Sequence, residues 1–354
     1  MPLRSSLLAV LVAVLWGVNF VVIDLGLGDL PPTLFVALRF VVVLVPAVFL
    51  VPRPRARPRD VVLVGAFMSL GQFGLLYTAL ALGMPAGLAS LVLQAQVGLT
   101  VLFAAAGLRE VPTRSQLVGV LVGAAGLVVV GAGRSASTPA LAFLVTLAAA
   151  ASWAVGNVVA RRAGSRGAGA AAPATRTGRP GRPARPPRPG LDGLSMTVWS
   201  ALVVPGPLLA LSLVVDGPDV VGHALTHLTP APVLSTLYTA WLASLVGYGI
   251  WNTLLARHPA SAVVPFTMLV PVVGMLSAWL VLDEVPNPAE LVGGGVLLLG
   301  VATTTGVLRR RAAPARATAL AAPAASDPVH DAADGPAASP RPGPRAAATR
   351  ARSR

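Results

Sequence analysis

Cysteine and lysine are both absent from this chain of 354 residues, and Asp and Glu together number only 13. Without cysteine there is no disulfide framework and no thiolate metal site, and the four histidines are scattered rather than spaced as ligands. Without lysine there is no phosphate-binding loop of the Gly-x-x-x-x-Gly-Lys type, which leaves an ion gradient or the substrate's own gradient as energy source for any transport. Charged side chains make up only 11% of the chain and aromatic ones 5%, against 55% hydrophobic residues and a mean hydropathy of +0.75. That is too little polar surface to cover a soluble globule, and it points to lipid as the natural solvent.

A bilayer core takes roughly 20 apolar residues per helix. Ten such windows follow one another, near 6–27, 33–51, 61–82, 87–108, 114–132, 140–162, 194–215, 232–256, 260–281 and 288–308. The first resembles a secretory signal, with Arg4 ahead of an apolar run. The run continues through Val21, Val22 and Ile23 without a small-residue cleavage site, and so reads as a membrane span. The expected fold class is an all-α membrane protein of ten transmembrane helices.

The net charge of +14 comes from 27 arginines, and their placement argues against a nucleic-acid partner. They fall between alternate spans: Arg4, the four from Arg53 to Arg59, Arg109 and Arg114, the eight from Arg161 to Arg188, Arg257, and the nine from Arg309 onward. Only Arg134 lies on the opposite side and only Arg39 within a span. By the positive-inside rule this places both termini in the cytoplasm of a multi-pass cell-membrane protein. The resulting organisation is helices 1–6 in residues 1–163, a basic Pro/Gly-rich cytoplasmic loop at 164–190, helices 7–10 in 191–308, and a basic tail at 309–354. Loop and tail lack apolar periodicity and are expected to be flexible.

The chain also matches itself at an offset of 174 residues. Pro85-Ala86 returns as Pro259-Ala260, Glu110-Val111-Pro112 as Glu284-Val285-Pro286, Leu117-Val118-Gly119 as Leu291-Val292-Gly293, and Gly126 as Gly300. Trp16 and Asn19 are echoed more weakly by Trp153 and Asn157. Five spans per copy is an odd number, so the second copy enters the membrane upside down. Such inverted repeats underlie alternating access in transporters.

Polar side chains inside spans are costly, and they face a cavity or a neighbouring helix. Gln94 and Gln96 lie mid-span, where a carboxamide both donates to a carboxylate and accepts from an ammonium group; hydrogen bonding between helices is the competing role. Asn19 and Asn157 occupy similar depths in repeat-related spans, and Gln72, Tyr77, Tyr248 and Asn252 complete the polar set. Trp16, Trp153 and Trp251 either wall a ligand or pack and anchor at the interface. Arg39, at roughly 2.5–3.5 kcal/mol on helix-centre insertion scales, is placed to snorkel outward or to pair with Asp24 or Asp29, with attraction of a substrate carboxylate as the second role. Glu110 and Glu284 each precede a proline that opens the next helix, where an acid caps. Pro265 and Pro271 in the ninth span suggest gating kinks.

Several stretches resemble the EamA family of the drug/metabolite transporter superfamily, and within it the exporters of O-acetylserine and cysteine. They are WGVNFVVIDLGL from Trp16, LRF at Leu38, QFGLLY at Gln72, GMPAGLASLVLQAQ from Gly83, TLAAAASWAVGN from Thr146, GYGIW from Gly247 and LVPVVG from Leu269. The resemblance implies a basket of ten helices, a cavity lined by the first, third, fourth, sixth, eighth and ninth spans, and efflux of small polar, amino-acid-like metabolites. Export of other metabolites or drugs is the alternative within the superfamily, and a non-transporting membrane scaffold the alternative outside it. An enzyme is not expected, since His-Glu-x-x-His and Gly-x-Ser-x-Gly motifs are lacking. No motif specifies a metal, a cofactor or an oligomeric state.

Overall fold

In the computed structural model, residues 1–134, 138–170 and 189–307 are described, and all regular structure among them is helical. Among the described residues, nine helices have the length and composition to cross a bilayer: α1 (Leu3–Leu27), α2 (Pro32–Leu50), α3 (Pro58–Ala81), α4 (Ala86–Leu108), α5 (Arg114–Ala132), α6 (Ala140–Ala163), α7 (Gly193–Val215), α8 (Pro230–Arg257) and α9 (Val264–Leu282). A tenth apolar helix, α10 (Pro288–Thr304), has 17 residues, at the short end of what spans a bilayer. The expected window of 288–308 is thus shortened at its C-terminal end, where a turn follows Thr304.

Burial is inverted relative to a water-soluble bundle. Leu121 (70% exposed), Val214 (81%) and Leu280 (69%) point outward, whereas Arg39 and Tyr77 are enclosed. Large apolar side chains on the outside of long helices with polar ones inside are the pattern that lipid selects.

The helix following α5 departs from the sequence expectation at its far end. Residues 164–190 read as one flexible loop, but the helix of α6 runs on to Ala170 and the next begins at Pro189. Proline is suited to the first turn of the second helix, but propensity does not explain the extension of the first, since three of the seven residues from 164 to 170 are glycine. The rest of that loop, 171–188, and the tail lie outside the described residues.

Several departures from ideal helix recur at one spacing. Segments of π-helix occupy Gly65–Gly71 in α3 and Tyr238–Val246 in α8. The fourth span, read as continuous, is interrupted at Leu93–Gln94 between Ala86–Val92 and Ala95–Leu108, and α9 opens with a 3-10 turn over Val264–Met268. Arg109 and Asp283 both end a helix in the left-handed conformation at φ 55°. Thr113 with Gln116, and Asn287 with Glu290, form reciprocal capping boxes on α5 and α10. The left-handed residues and the capping boxes are 174 residues apart, the offset of the sequence match.

Helices α5 and α10 meet backbone to backbone. A Cβ built on Gly126 would stand 2.6 Å from the carbonyl oxygen of Gly293, and one on Gly293 would stand 2.7 Å from that of Gly126. Gly119 and Gly300 repeat this reciprocity at 2.7 Å each way. Between apolar helices in lipid, this close approach replaces water exclusion as the source of association. Gly126→Ala and Gly300→Ala are expected to lower thermal stability in detergent, each by about 1–3 kcal/mol through overpacking. Gly295→Ala, at a position with open space around it, should be neutral or stabilising by up to about 1 kcal/mol from helix propensity.

Candidate functional site

The π-segment of α8 packs against α2, and that of α3 packs against α6 and the first half of α7. A cavity of about 610 Å³ lies against them, lined by Phe40 and Val43 of α2, Met68, Ser69 and Phe73 of α3, Thr197 of α7, and Ser244 and Tyr248 of α8. Ala160 and Ala163 of α6 also line it, and Pro54, Arg55, Ala56 and Gly193 place it at the end of the bundle that carries the Arg53–Arg59 connection. The cavity therefore uses the third, sixth and eighth spans named by the family resemblance. It draws on the second and seventh in place of the first, fourth and ninth.

Arg39 lies directly behind this wall, only 2% exposed. Its Nη1 donates to the Tyr77 hydroxyl and its Nη2 to the Ser244 hydroxyl, both at 3.0 Å. The guanidinium lies over the Phe73 ring at 4.2 Å, and Phe40 and Tyr77 are within 6 Å. It neither snorkels nor pairs with Asp24 or Asp29. Packing of Phe35, Phe73 and Tyr77 around it closes the outward route, and Asp29 instead accepts from the Thr229 hydroxyl. Ser244 in turn donates to the Thr239 carbonyl at 2.8 Å, a five-residue step that belongs to the π-segment.

The other sequence-predicted residues gather in three places. Trp16 packs on Tyr248 and Trp251 with ring centroids 5.1 and 5.4 Å apart, and its indole N–H donates to the Ala243 carbonyl. Asn157 donates to the Gln96 side-chain oxygen at 3.0 Å and to Thr100 at 3.3 Å, tying α6 to α4. Gln94 stands at the interruption of α4 and reaches the Thr267 carbonyl, 3.4 Å away, at the 3-10 turn of α9. The side-chain oxygens of Asn19 and Gln72 are buried without a hydrogen-bond partner. Trp153 packs against the apolar core.

Of the predicted set, Tyr248 lines the cavity, Tyr77 braces Arg39 beside it, and Gln94 borders a separate apolar cavity of about 420 Å³ between α4, α5, α6 and α10. Pro265 is the second residue of the 3-10 turn, where a missing N–H is best tolerated, and Pro271 is the third of the α-helical part of α9, where it offers no N–H to the Thr267 carbonyl that Gln94 reaches. Ser244, Ser69 and Thr197 escaped the sequence reading. Hydroxyls are common in membrane helices, and only the π-turn and the Arg39 contact single out Ser244.

The two repeat-related glutamates differ in what they hold. Glu284 accepts from the backbone N–H groups of Ala86 and Gly87 at 2.8 and 2.9 Å, so it caps α4 rather than the helix that follows it. Glu110 pairs with Arg161 at 2.8 Å at the opposite end of the bundle. The caps of α5 and α10 are supplied by Thr113 and Asn287.

Comparison with known proteins agrees with this architecture. The EamA-like transporter family matches residues 3–132 and 188–306. A "Probable amino-acid metabolite efflux pump" of Escherichia coli is 37% identical over 315 residues, covering 88% of this chain and 98% of its own. A protein of the same description from Salmonella typhimurium is 39% identical over 303 residues, covering 85% and 94%. A "Probable terminal-alkyne amino-acid exporter" of Streptantibioticus cattleyicolor is 27% identical over 251 residues, covering 71% and 74%. A solved crystal structure of 21% identity shares the fold, with a TM-score of 0.54 over 87% of this chain and 98% of the other. The chain is a multi-pass membrane protein and belongs to the EamA-like transporter family.

Proposed function

We propose that this transporter exports small amino-acid-like metabolites, of the O-acetylserine and cysteine type, from the cytoplasm by alternating access between two inverted five-helix halves. The observation that carries this reading is a cavity that extends from mid-depth groups to the end of the bundle carrying the arginine-rich connection, while the other end is held by Glu284 on the start of α4. The positive-inside rule assigns the arginine-rich end to the cytoplasm. On this reading the protein rests inward-open, ready to load. The names of the relatives, which refer to amino-acid metabolites and an amino-acid exporter, support the substrate class.

The inverted repeat is supported by the paired left-handed residues, paired capping boxes and paired π-segments, and by the reciprocal glycine contacts of α5 and α10. Two halves with the same local geometry give nearly isoenergetic arrangements when their conformations are exchanged, which is what alternating access requires. The gates lie at the interruptions of α4 and α9, with Pro265 at the second; Pro271 belongs to the same segment.

Cells or proteoliposomes holding the protein are expected to export labelled cysteine or O-acetylserine saturably, relative to an empty control. If neither moves while the protein is inserted and folded, the amino-acid assignment fails. Gln94→Ala and Asn19→Ala should each reduce export at unchanged membrane expression. Full activity in both removes them from the transport path.

The seal at the far end can be probed because the chain has no cysteine of its own. Ser90→Cys, in the outer half of α4, should react several-fold faster with a membrane-impermeant maleimide when Glu284→Ala is added. The reason is that the charge-assisted bonds to Ala86 and Gly87 are worth about 1.5–3 kcal/mol each. Equal labelling rates would mean that Glu284 does not hold this end closed.

A further inference from the structure

A cation enclosed in a low-dielectric interior requires either a counter-charge or a way to water. Among the described residues, Arg39 is given neither: its partners are two neutral hydroxyls and the faces of aromatic rings. Arg161, by contrast, is paired with Glu110 at the end of the bundle. A carboxylate from within the chain would have been the simple remedy, and Asp24 and Asp29 lie on the preceding helix and its connection, yet neither is used. The charge is left for something that is not part of the protein.

The direction from which that anion comes is set by the guanidinium's own geometry. Tyr77 occupies Nη1 and the Phe73 ring covers the plane. The remaining side-on edge consists of Nε and Nη2, whose parallel N–H groups match the two oxygens of a carboxylate. Nε is buried without an acceptor, and Nη2 is bonded to the Ser244 hydroxyl. Ser244 lines the cavity together with Phe40, Phe73 and Tyr248. It also keeps its bond to the Thr239 carbonyl, so it can release Nη2 without becoming unsatisfied itself.

We propose that Arg39 recognises the carboxylate of the transported substrate through its Nε–Nη2 edge, with Ser244 as the placeholder in the unloaded state. The assignment rests on the exporter reading above and adds the residue that selects for acids over neutral or purely cationic analogues. A bound carboxylate satisfies Nε, neutralises the enclosed charge and replaces a neutral hydroxyl by a charge-assisted bidentate pair. A ligand lacking the carboxylate would leave the arginine as it is and gain none of this.

The test compares a carboxylate with its neutral isostere. Binding of cysteine and of cysteinamide to the purified full-length protein in detergent is measured by ligand-induced thermal stabilisation, alongside export of labelled cysteine from proteoliposomes. Wild type should bind the acid at least about tenfold more tightly than the amide, the lower end of what a charge-assisted bond provides. Arg39→Met should bring the two within about twofold of each other through loss of that bond. Ser244→Ala keeps the arginine and removes its competitor. It should tighten the acid severalfold and leave the amide unchanged, and it decides the matter should Arg39→Met not fold.

Retention of the acid preference in Arg39→Met, or equal shifts of acid and amide in Ser244→Ala, overturns the proposal. So does equal binding of acid and amide by wild type, in which case export of labelled cysteine still stands as evidence for the exporter reading. Absence of both binding and export removes the exporter reading together with the assignment of Arg39.

Discussion

Hydrocarbon offers nothing to a peptide N–H or C=O, so each place where a membrane helix departs from its regular ladder has to find a partner inside the protein. This constraint links the features around the cavity. The interruption of α4 lies beside that of α9, and Gln94 reaches across to the Thr267 carbonyl. The π-segment of α8 receives the Ser244 hydroxyl on the Thr239 carbonyl. The free amides at the start of α4 are taken by Glu284, from the connection between α9 and α10. Irregular backbone in these places is served by side chains of the same or a neighbouring span; the π-segments border the cavity, and the interruptions of α4 and α9 lie outside its lining.

The same constraint divides the intramembrane polar residues by role. Asn157, Gln96 and Thr100 satisfy one another and join α6 to α4. The indole of Trp16 finds the Ala243 carbonyl exposed by the π-segment, and Gly247 leaves room for its ring. Arg39 differs from these because two hydroxyls take its Nη groups without balancing its charge, and its Nε is left without an acceptor. The oxygens of Asn19 and Gln72 are likewise unmet, but they carry no charge.

Much of the fold was legible because lipid imposes a simple code of length and hydropathy. Most spans lie within a few residues of the windows read from the sequence, and the 174-residue self-match anticipates the equivalence of Arg109 with Asp283 and of Thr113 with Asn287. The break at Leu93–Gln94 was invisible, since the run from Ala86 to Leu108 contains no proline and its two glutamines are explained equally by a cavity or a helix contact. The π-segments leave no periodic trace either. Glu284 was rightly read as a cap, but sequence proximity suggested the wrong helix. Whether Arg39 would find an aspartate depended on which helices close around it, and that is tertiary information. The seventh span contributed to the cavity wall through ordinary-looking residues such as Thr197, which no spacing distinguishes from packing.

The glycine contact of α5 with α10 has a thermodynamic consequence. Hydrophobic burial weakens on cooling because it withdraws apolar surface from water and carries a large heat-capacity change. The two helices here exchange lipid contacts for backbone contacts, with no water displaced, so their association lacks that curvature. The interface is therefore held by dispersion and close fit, which vary little with temperature, and cold should loosen it less than it would a water-soluble helical bundle of the same size.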